Sequence, residues 1–445
     1  MTGSTKNDLH VLIAGAGTSG LLVAQGLKKN GIAFTIFESE SSTTYQTRPR
    51  EWGMTLHWGS SHIASCLPDE LTARFNETYA DPSLKPDAVT GLPIHNGKTG
   101  DLIMEMGAEK PMRVSRKKMR NLFSEGIDVQ YGKQVVRAYV IDDASSPDNG
   151  RVKVEFKDGE HAVGDVAVGT DGAKSLFRES IVGYEDAQLT TVPVNLINFP
   201  YKFNAELALQ IRAYNKIFLN SIHPDHGTMY WLSIMDVPDT NKPETWSFQV
   251  MQSWNDKTTP PSADLTTNEG RLKFFKARCE EYAEPWRSVG RAVADGTTIP
   301  MDKLTYWEKS KKWDNRGGRM TLCGDAAHPM TPRKFSRSCV TTVYGTLDPH
   351  TPDLITDTIH SADRGQGLNN ALQDASNFVS TIVSVSKGSA PLAEAVQAYD
   401  DEVLERGQTE MEISLKQSYF IHDWETLMQS PMIKIGMRQV KKGEV

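Results

Sequence analysis

The stretch GTDGAKSLFR at residues 169–178 decides the predicted fold of this 445-residue chain. The preceding run at 165–170 predicts a strand, and Ser175 and Arg178 are placed on the helix that follows. Asp171-Gly172 is therefore predicted to lie in the turn between the strand and the helix. Two further glycine-containing motifs flank this stretch, and the order of the three is more specific than any one of them.

Upstream, VLIAGAGTSG at residues 11–20 predicts the first turn of a dinucleotide-binding unit. A buried parallel strand over Leu9–Ala14 leads into a glycine turn and then a helix over Leu21–Lys29. The first glycine permits the tight turn, the second lets the backbone approach a pyrophosphate, and the third lets helix and strand pack closely. These glycines are Gly15, Gly17 and Gly20. The positive end of the helix then faces the phosphates.

The second strand, Ala33–Phe37, ends in Glu38, whose carboxylate is placed to accept hydrogen bonds from a ribose. An acid at this position favours a ribose without a phosphate, as in FAD or NAD. A glycine pattern alone also occurs in ordinary tight turns. Because a strand, a helix and Glu38 accompany it here, the pattern favours a dinucleotide site.

Downstream, TLCGDAAHP at residues 321–329 forms the third motif. Met320–Cys323 is predicted to be another buried strand, and it ends in Gly324-Asp325. His328 invites a catalytic interpretation, but it belongs to the same structural turn, so the pattern favours a packing role.

Together these motifs resemble the FAD-dependent aromatic-hydroxylase superfamily, the p-hydroxybenzoate-hydroxylase-like group A flavoprotein monooxygenases, from about residue 10 to about residue 385. The resemblance implies an α/β fold in which a Rossmann-like FAD-binding domain is interleaved with an antiparallel-sheet substrate domain, plus C-terminal helices. It implies bound FAD and a transient NAD(P)H, since no second Gly-x-Gly-x-x-Gly follows a strand. The ending HDWETLMQSP at residues 422–431 resembles fungal secondary-metabolite monooxygenases.

The resemblance also implies roles for individual residues. Asp325 is assigned to the ribityl hydroxyls of FAD, a task suited to a two-oxygen acceptor, and Asp171-Gly172 to the vicinity of FAD and the nicotinamide nucleotide. Arg116, in RVSRKKM, matches an Arg-x-x-Leu element with Met119 in the leucine place. This match implies a guanidinium near the FAD diphosphate, and a solvated basic face is the alternative.

GQGLNN at residues 365–370 opens a long amphipathic helix that is predicted to run to about Val385. Gly365 and Gly367 stand at its start. By resemblance, its amides and positive end point at N1 and the C2 oxygen of the flavin, where negative charge collects in the reduced ring. A glycine-rich loop that merely caps a helix is the alternative.

The middle of the chain predicts a substrate domain with an antiparallel sheet, from apolar runs between Val192 and Gln252. Strand alternation means that about half of its large side chains face away from a pocket. The candidates there are Met229, Tyr230, Trp231, Trp246, Phe248 and Trp254. A second candidate patch is Arg50, Trp52, Met54, His57 and Trp58. No residue stands out as a catalytic base, and no metal site is predicted.

Composition sets wider limits. The net charge of −7 does not indicate the positively charged surface that nucleic-acid-binding proteins carry, so a small-molecule substrate is the expected partner. The four cysteines show no CxxC spacing, which favours a reducing, cytoplasmic location. The early apolar stretch Val11–Leu27 is interrupted by three glycines, and no membrane anchor is expected. The sequence does not predict an oligomeric state.

The expected organisation is an FAD-binding domain over 1–185 and 301–390, a substrate domain over 186–300 and a helical region over 391–445. The expected function is a single-component monooxygenase that uses FAD, NAD(P)H and O2 to hydroxylate or epoxidise an apolar aromatic or polyene metabolite. Two alternatives stay open. One is an oxygen-independent flavin dehydrogenase or reductase, and the other is an FAD-binding protein inactivated by an insertion.

That insertion is the segment at 333–362, where relatives pass from the proline turn almost directly into the glycines. The segment is rich in Thr, Ser, Asp and Pro and has no clear helical or strand period, which predicts a loop. Its first residues, Arg333-Lys334-Phe335, are compatible with codons containing a splice-donor sequence, and Ser361-Ala362-Asp363 with an acceptor. A retained intron is therefore our first hypothesis, and a genuine lid is the second.

We predict that a chain rejoining Pro332 to Asp363 binds FAD at least as well as the full chain and turns over at least as fast. A flexible insertion costs on the order of a kcal/mol or two in closure entropy, so the fold tolerates it. Displacement by about 1 Å near the reacting ring costs on the order of a hundredfold in rate. Sequencing of the mature transcript and assay of both chains test this. A transcript that keeps the segment, with loss of activity on deletion, would identify a lid.

Overall fold

A computed structural model describes residues 9–48, 51–85, 88–89, 91–107, 111–329, 366–429 and 433. The segment at 333–362 and two residues singled out above, Arg50 and Gly365, lie outside the described residues.

The strands and helices are numbered in chain order. The strands are β1 (His10–Ala14), β2 (Ala33–Glu38), β3 (Gly53–Leu56), β4 (Gly91–Asn96), β5 (Leu102–Gly107), β6 (Met112–Ser115), β7 (Val129–Tyr131), β8 (Val135–Val140), β9 (Val152–Phe156), β10 (His161–Gly164), β11 (Val166–Gly169), β12 (Thr190–Lys202), β13 (Phe218–Ile222), β14 (Met229–Asp236), β15 (Ser247–Asn255), β16 (Met301–Tyr306) and β17 (Met320–Leu322). The helices are α1 (Thr18–Lys29), α2 (Ser42–Gln46), α3 (Ser60–Cys66), α4 (Asp69–Ala73), α5 (Arg116–Ser124), α6 (Leu176–Val182), α7 (Tyr184–Ala187), α8 (Ala205–Tyr214), α9 (Asn268–Glu280), α10 (Trp286–Ala292), α11 (Gln366–Ser386), α12 (Leu392–Ile421) and α13 (Trp424–Gln429).

Five strands form a parallel sheet in the order β17-β11-β1-β2-β7. Its strands are apolar because helices cover the sheet: α1, α5 and α11 pack into the same hydrophobic core. The strands predicted from the three glycine motifs are therefore neighbours, and the Rossmann-like fold is confirmed.

Seven strands form the second large sheet, in the order β16-β12-β15-β14-β13-β4-β5. All neighbours are antiparallel except β4 and β13, which run parallel. The strand Met301–Tyr306 pairs with β12, so this sheet extends past the boundary that the sequence suggested at residue 300. We therefore propose that the second part of the FAD-binding domain begins after Tyr306.

Two smaller sheets complete the strand pairing of the described chain. Strands β8, β9 and β10 form an antiparallel sheet, and β3 pairs with β6 in a two-stranded ribbon. This ribbon, β3–β6, contacts β14 of the antiparallel sheet and α11, the helix that packs on the parallel sheet. Among the described helices, none is long and apolar enough to cross a membrane.

A buried cluster of charges ties the C-terminal helices to the parallel sheet. The Asp374 carboxylate of α11 accepts hydrogen bonds from the Gly324 amide at 2.7 Å and from His328 Nε2 at 2.6 Å. Its other oxygen lies 2.5 Å from Arg406 Nη2 on α12. The His328 side chain is buried, with 1% of its surface exposed, which fits the predicted packing role.

The same cluster sets the protonation of its members. Burial alone lowers the pKa of His328, but the charge and hydrogen bond of Asp374 outweigh this effect and raise the pKa above 6.5. Burial raises the pKa of Asp374, yet His328 and Arg406 outweigh it and hold the pKa below 3.8. The protonated imidazolium therefore stabilises the folded state.

We predict that this stabilisation is lost at alkaline pH. A histidine whose pKa is raised on folding contributes fully below its unfolded pKa of 6.5 and loses that contribution as pH rises through the folded pKa. The free energy of unfolding of the wild type should fall relative to that of His328→Gln by up to about 1.4 kcal/mol per pH unit between pH 6.5 and the folded pKa. Urea unfolding of both proteins from about pH 6 to about pH 9 measures this. A difference that is independent of pH would contradict the ion pair.

Candidate functional site

Four parallel strands end at one level, and their carboxyl-terminal loops open on one cavity. The register pairs Ala14 with both Phe37 and Gly169, and Gly169 with Leu322. The cavity has a volume of about 740 Å³. Eight of the predicted cofactor-binding residues line it: Gly15, Gly17, Glu38, Arg116, Asp171, Gly172, Asp325 and Gly367. Two others, Gly20 and Gly324, are buried and do not line it.

The three N-terminal glycines differ in what surrounds them. Gly15 has a φ of +111°, and a Cβ there would lie 2.6 Å from the Thr170 carbonyl oxygen. A Cβ on Gly20 would lie 2.0 Å from the Gly15 carbonyl oxygen. A Cβ on Gly17 would meet nothing closer than 3.9 Å and would point into free space. Gly15 and Gly20 are therefore required by the fold, whereas Gly17 leaves open the cradle that a pyrophosphate would fill.

Glu38 lies at the end of β2 and is 6% exposed. One carboxylate oxygen accepts the Ala16 amide at 3.1 Å, and the other accepts the Glu40 amide and the Ser39 hydroxyl at 3.0 Å. These bonds hold the carboxylate at the cavity, with lone pairs left for a ribose.

Asp171 follows β11 and organises the start of α6. Its Oδ2 accepts the Phe177 amide at 3.1 Å, while Oδ1 is buried and has no hydrogen-bond partner among the described residues. Burial raises the pKa of this carboxyl group. Gly172 adopts a φ of +82°, a backbone conformation that favours glycine. The Asp171 carboxylate therefore holds in place the Asp171-Gly172 turn, which lines the cavity.

Asp325 follows β17, in a turn that depends on Gly324. Gly324 has a φ of +64°, and a Cβ there would lie 2.7 Å from Ser19 Oγ. The Asp325 side chain is open to the cavity but surrounded by protein, so burial raises its pKa even though His328 and Arg116 lower it. A carboxylate in this position fits the hydroxyl groups of a ribityl chain.

Arg116 is the first residue of α5, directly after the helix-capping residue Ser115. Its guanidinium lies 4.6 Å from the centre of the Trp52 ring and 4.0 Å from the Glu51 carboxylate. Burial lowers its pKa, and the nearby Arg120 and Arg48 lower it further. Such a partly buried cation at the cavity suits a phosphate, so the solvated basic face does not describe Arg116.

The first turn of α11 enters the cavity at Gly367, Leu368 and Ala371. Asn369 ties this turn to the segment after β3, because its Oδ1 accepts the His57 amide at 3.0 Å and the Gly59 amide at 3.1 Å. The positive end of a long helix is therefore held beside the cavity.

The substrate sheet contributes few of the predicted aromatic residues. Trp231 lines the cavity together with Met251 and Gln249, which the sequence reasoning missed. Four candidates instead pack in the core on the other side of the sheet: Tyr230, Trp246, Phe248 and Trp254. Met229 is buried beside Trp231 but does not line the cavity. Alternation along the strands separates the two sets.

The second predicted patch is also divided. Trp52 and Met54 line the cavity, whereas His57 and Trp58 do not.

Arg178, on the helix that follows the Asp171-Gly172 turn, points into the protein. It donates to the carbonyl oxygens of Ala326 at 2.8 Å and Ala173 at 2.7 Å, and lies 4.9 Å from the centre of the Trp307 ring. It thereby joins the loop after β11 to the loop after β17. This structural role could not be distinguished from a ligand contact in the sequence alone.

No protein-family model matches this chain. The chain is 34% identical to the FAD-dependent monooxygenase phnB of Penicillium herquei, over 97% of this chain and 96% of that protein. The FAD-dependent monooxygenase cctM of Talaromyces islandicus is 32% identical, over 97% of both chains. The chain belongs to the FAD-dependent monooxygenases. A crystal structure of Klebsiella pneumoniae HpxO with FAD and uric acid has the same fold, with a TM-score of 0.68, 18% identity and coverage of 100% of this chain and 97% of that one.

We predict that Gly17→Ala and Gly20→Ala separate cofactor binding from folding. Gly17→Ala should weaken FAD binding by about tenfold or more, because the methyl group fills the cradle, and should change the free energy of unfolding of the apoprotein by less than about 0.5 kcal/mol. Gly20→Ala should lower that free energy by about 1–3 kcal/mol, because its Cβ overlaps the Gly15 carbonyl. FAD titration and urea unfolding measure both. Unchanged FAD affinity in Gly17→Ala would reject the pyrophosphate assignment.

Proposed function

We propose that the protein is a single-component monooxygenase that uses NAD(P)H and O2 to hydroxylate or epoxidise an apolar aromatic or polyene metabolite. The observation that carries this proposal is a single cavity that joins the dinucleotide-binding edge to the substrate sheet. Gly17 and Asp325 line one side, and Trp231 and Met251 line the other. Kinship with fungal FAD-dependent monooxygenases supports a role in secondary-metabolite biosynthesis.

Each part of the cavity wall has a task in this proposal. Bound FAD would supply the oxygen and hydride chemistry that amino-acid side chains lack. Gly15, Gly17 and the start of α1 would hold its pyrophosphate, Glu38 a ribose and Asp325 the ribityl chain. The positive end of α11 at Gly367 would stabilise negative charge on the ring system.

The remaining wall excludes water from the reacting atoms. Trp52, Met54, Trp231 and Met251 present apolar surface to the cavity. Such surface orients a flat apolar substrate and keeps bulk water from competing with it. No strand of the described chain other than β1 is followed by Gly-x-Gly-x-x-Gly, which supports a transient NAD(P)H.

We also propose a reducing, cytoplasmic location. Three cysteines of the described chain, Cys66, Cys279 and Cys323, are free and buried. Burial raises the pKa of each thiol, which makes these groups poor partners for disulfide exchange.

We predict that turnover places one atom of O2 in the product. The purified FAD-loaded protein is incubated with NADPH or NADH and a panel of planar phenols and polyenes, while NAD(P)H absorbance and dissolved oxygen are recorded. A compound that stimulates both signals is then converted under ¹⁸O2 and analysed by mass spectrometry, with Gly17→Ala as the FAD-deficient control. Anaerobic turnover with an artificial electron acceptor and no label in the product would instead identify a dehydrogenase.

A further inference from the structure

Arg113, on β6, is a buried cation in the wall of the substrate side of the cavity. It is 4% exposed, and its guanidinium lies 5.8 Å from the centre of the Trp231 ring. A Cβ on Gly53 would lie 2.7 Å from its Nη2, so the glycine after Trp52 leaves room for the guanidinium. The sequence reasoning treated Arg113 only as one member of a basic run.

The partners of Arg113 are neutral. Nη1 donates to Thr55 Oγ1 at 2.8 Å, and Nη2 donates to Ser233 Oγ and Gln249 Oε1, both at 3.0 Å. These bonds use three of the five N–H donors of a guanidinium. Nε is buried and has no hydrogen-bond partner among the described residues. The described partners therefore leave donors of Arg113 unsatisfied.

The charge of Arg113 is also uncompensated. No described carboxylate forms an ion pair with it, and burial lowers its pKa to about 9, so that it remains a cation at neutral pH. Among the other buried arginines, Arg120 bonds the Glu51 carboxylate at 2.5 Å, whereas Arg178 and Arg278 donate to backbone carbonyl oxygens. Arg113 has neither kind of partner among the described residues. An unpaired buried charge is costly unless an anion accompanies it.

The position of Arg113 indicates which anion it serves. Two of its three partners, Ser233 and Gln249, belong to the substrate sheet, and Trp231 beside it is the cavity-lining aromatic residue of that sheet. The glycine turn and Arg116 already occupy the phosphate-binding edge. The geometry thus places Arg113 against a substrate rather than against the cofactor phosphates.

We propose that Arg113 binds an oxygen anion of the substrate, a carboxylate or a phenolate, and selects anionic over neutral aromatic compounds. This inference rests on the proposed function, because it takes the Trp231 side of the cavity as the substrate site, and it narrows that function to an aromatic metabolite that carries one anionic oxygen group on an otherwise apolar body. The guanidinium carbon lies 5.8 Å from the centre of the Trp231 ring, and the second N–H of Nη1, which no described residue accepts, is the donor available to an anion. A phenolate held in this way keeps its electron density for attack on an electrophilic oxygen.

The test measures equilibrium binding to the FAD-loaded protein without NAD(P)H. For the carboxylate arm, 4-nitrobenzoate is compared with 4-nitrobenzamide by calorimetry. For the phenolate arm, the visible absorbance of 4-nitrophenol reports the pKa of the bound phenol. The variants are Arg113→Met, which removes the charge, and Arg113→Lys, which keeps it without the planar fork. Lys303→Met is the matched control, since Lys303 lines the cavity but is paired with Asp256 at 2.9 Å.

The wild type and Lys303→Met should bind at least one anion about 10- to 100-fold more tightly than Arg113→Met does. A bound phenol should have its pKa lowered by about 1 or more in the wild type. Arg113→Lys should retain the preference for anions with a smaller factor. The arm that responds identifies the anion as carboxylate or phenolate.

Three results overturn the proposal. They are equal binding of anion and neutral analogue by the wild type, no binding of either anion, and loss of FAD from Arg113→Lys, which would assign the cation to the cofactor. If Arg113→Met does not fold, the wild-type comparison and Arg113→Lys still decide. Failure of the proposed monooxygenase function is seen separately, as absence of oxygen uptake and of label in the product.

Discussion

The site depends on one constraint, the common level at which β2, β1, β11 and β17 end. Parallel pairing without a register shift carries Glu38, the Gly15 turn, Asp171 and Asp325 to the same edge, although residues 15 and 325 are 310 positions apart in the sequence. The contact between Gly20, the Gly15 carbonyl and Thr170 sets how closely α1 approaches that edge. The Thr170 hydroxyl reinforces this contact by donating to the Gly15 carbonyl at 2.7 Å.

Buried charge is arranged differently in the wall of the cavity and behind it. Behind the wall, His328, Asp374 and Arg406 satisfy one another and hold the loop after β17 against α11 and α12. At the wall, burial shifts Asp171, Asp325 and Arg113 toward their neutral forms. Titratable groups that are perturbed in this way and line one cavity are typical of a ligand-binding site.

The sequence predicted the parallel sheet and its loops well, because glycine turns and strand-ending acids are local patterns. It predicted the substrate side less well. Alternation along β14 separates Tyr230 from Trp231, but only the packing of α9 and α10 against one face decides which of them meets the cavity. Arg113 did carry a signal, since it stands between the apolar residues Met112 and Val114 in a strand. The neighbouring basic residues of α5 obscured that signal, because on a helix surface they are ordinarily solvated.

The segment from Arg113 to Arg116 shows how one short stretch serves both sides of the cavity. Arg113 lies in a strand and reaches the substrate sheet, while Arg116 begins α5 and faces Trp52 near the cofactor edge. Gln249 links the same ribbon to the sheet a second time, because its Oε1 accepts both the Gly53 amide and Arg113 Nη2. Four consecutive residues therefore connect the proposed anion site at Arg113 to the cofactor edge at Arg116.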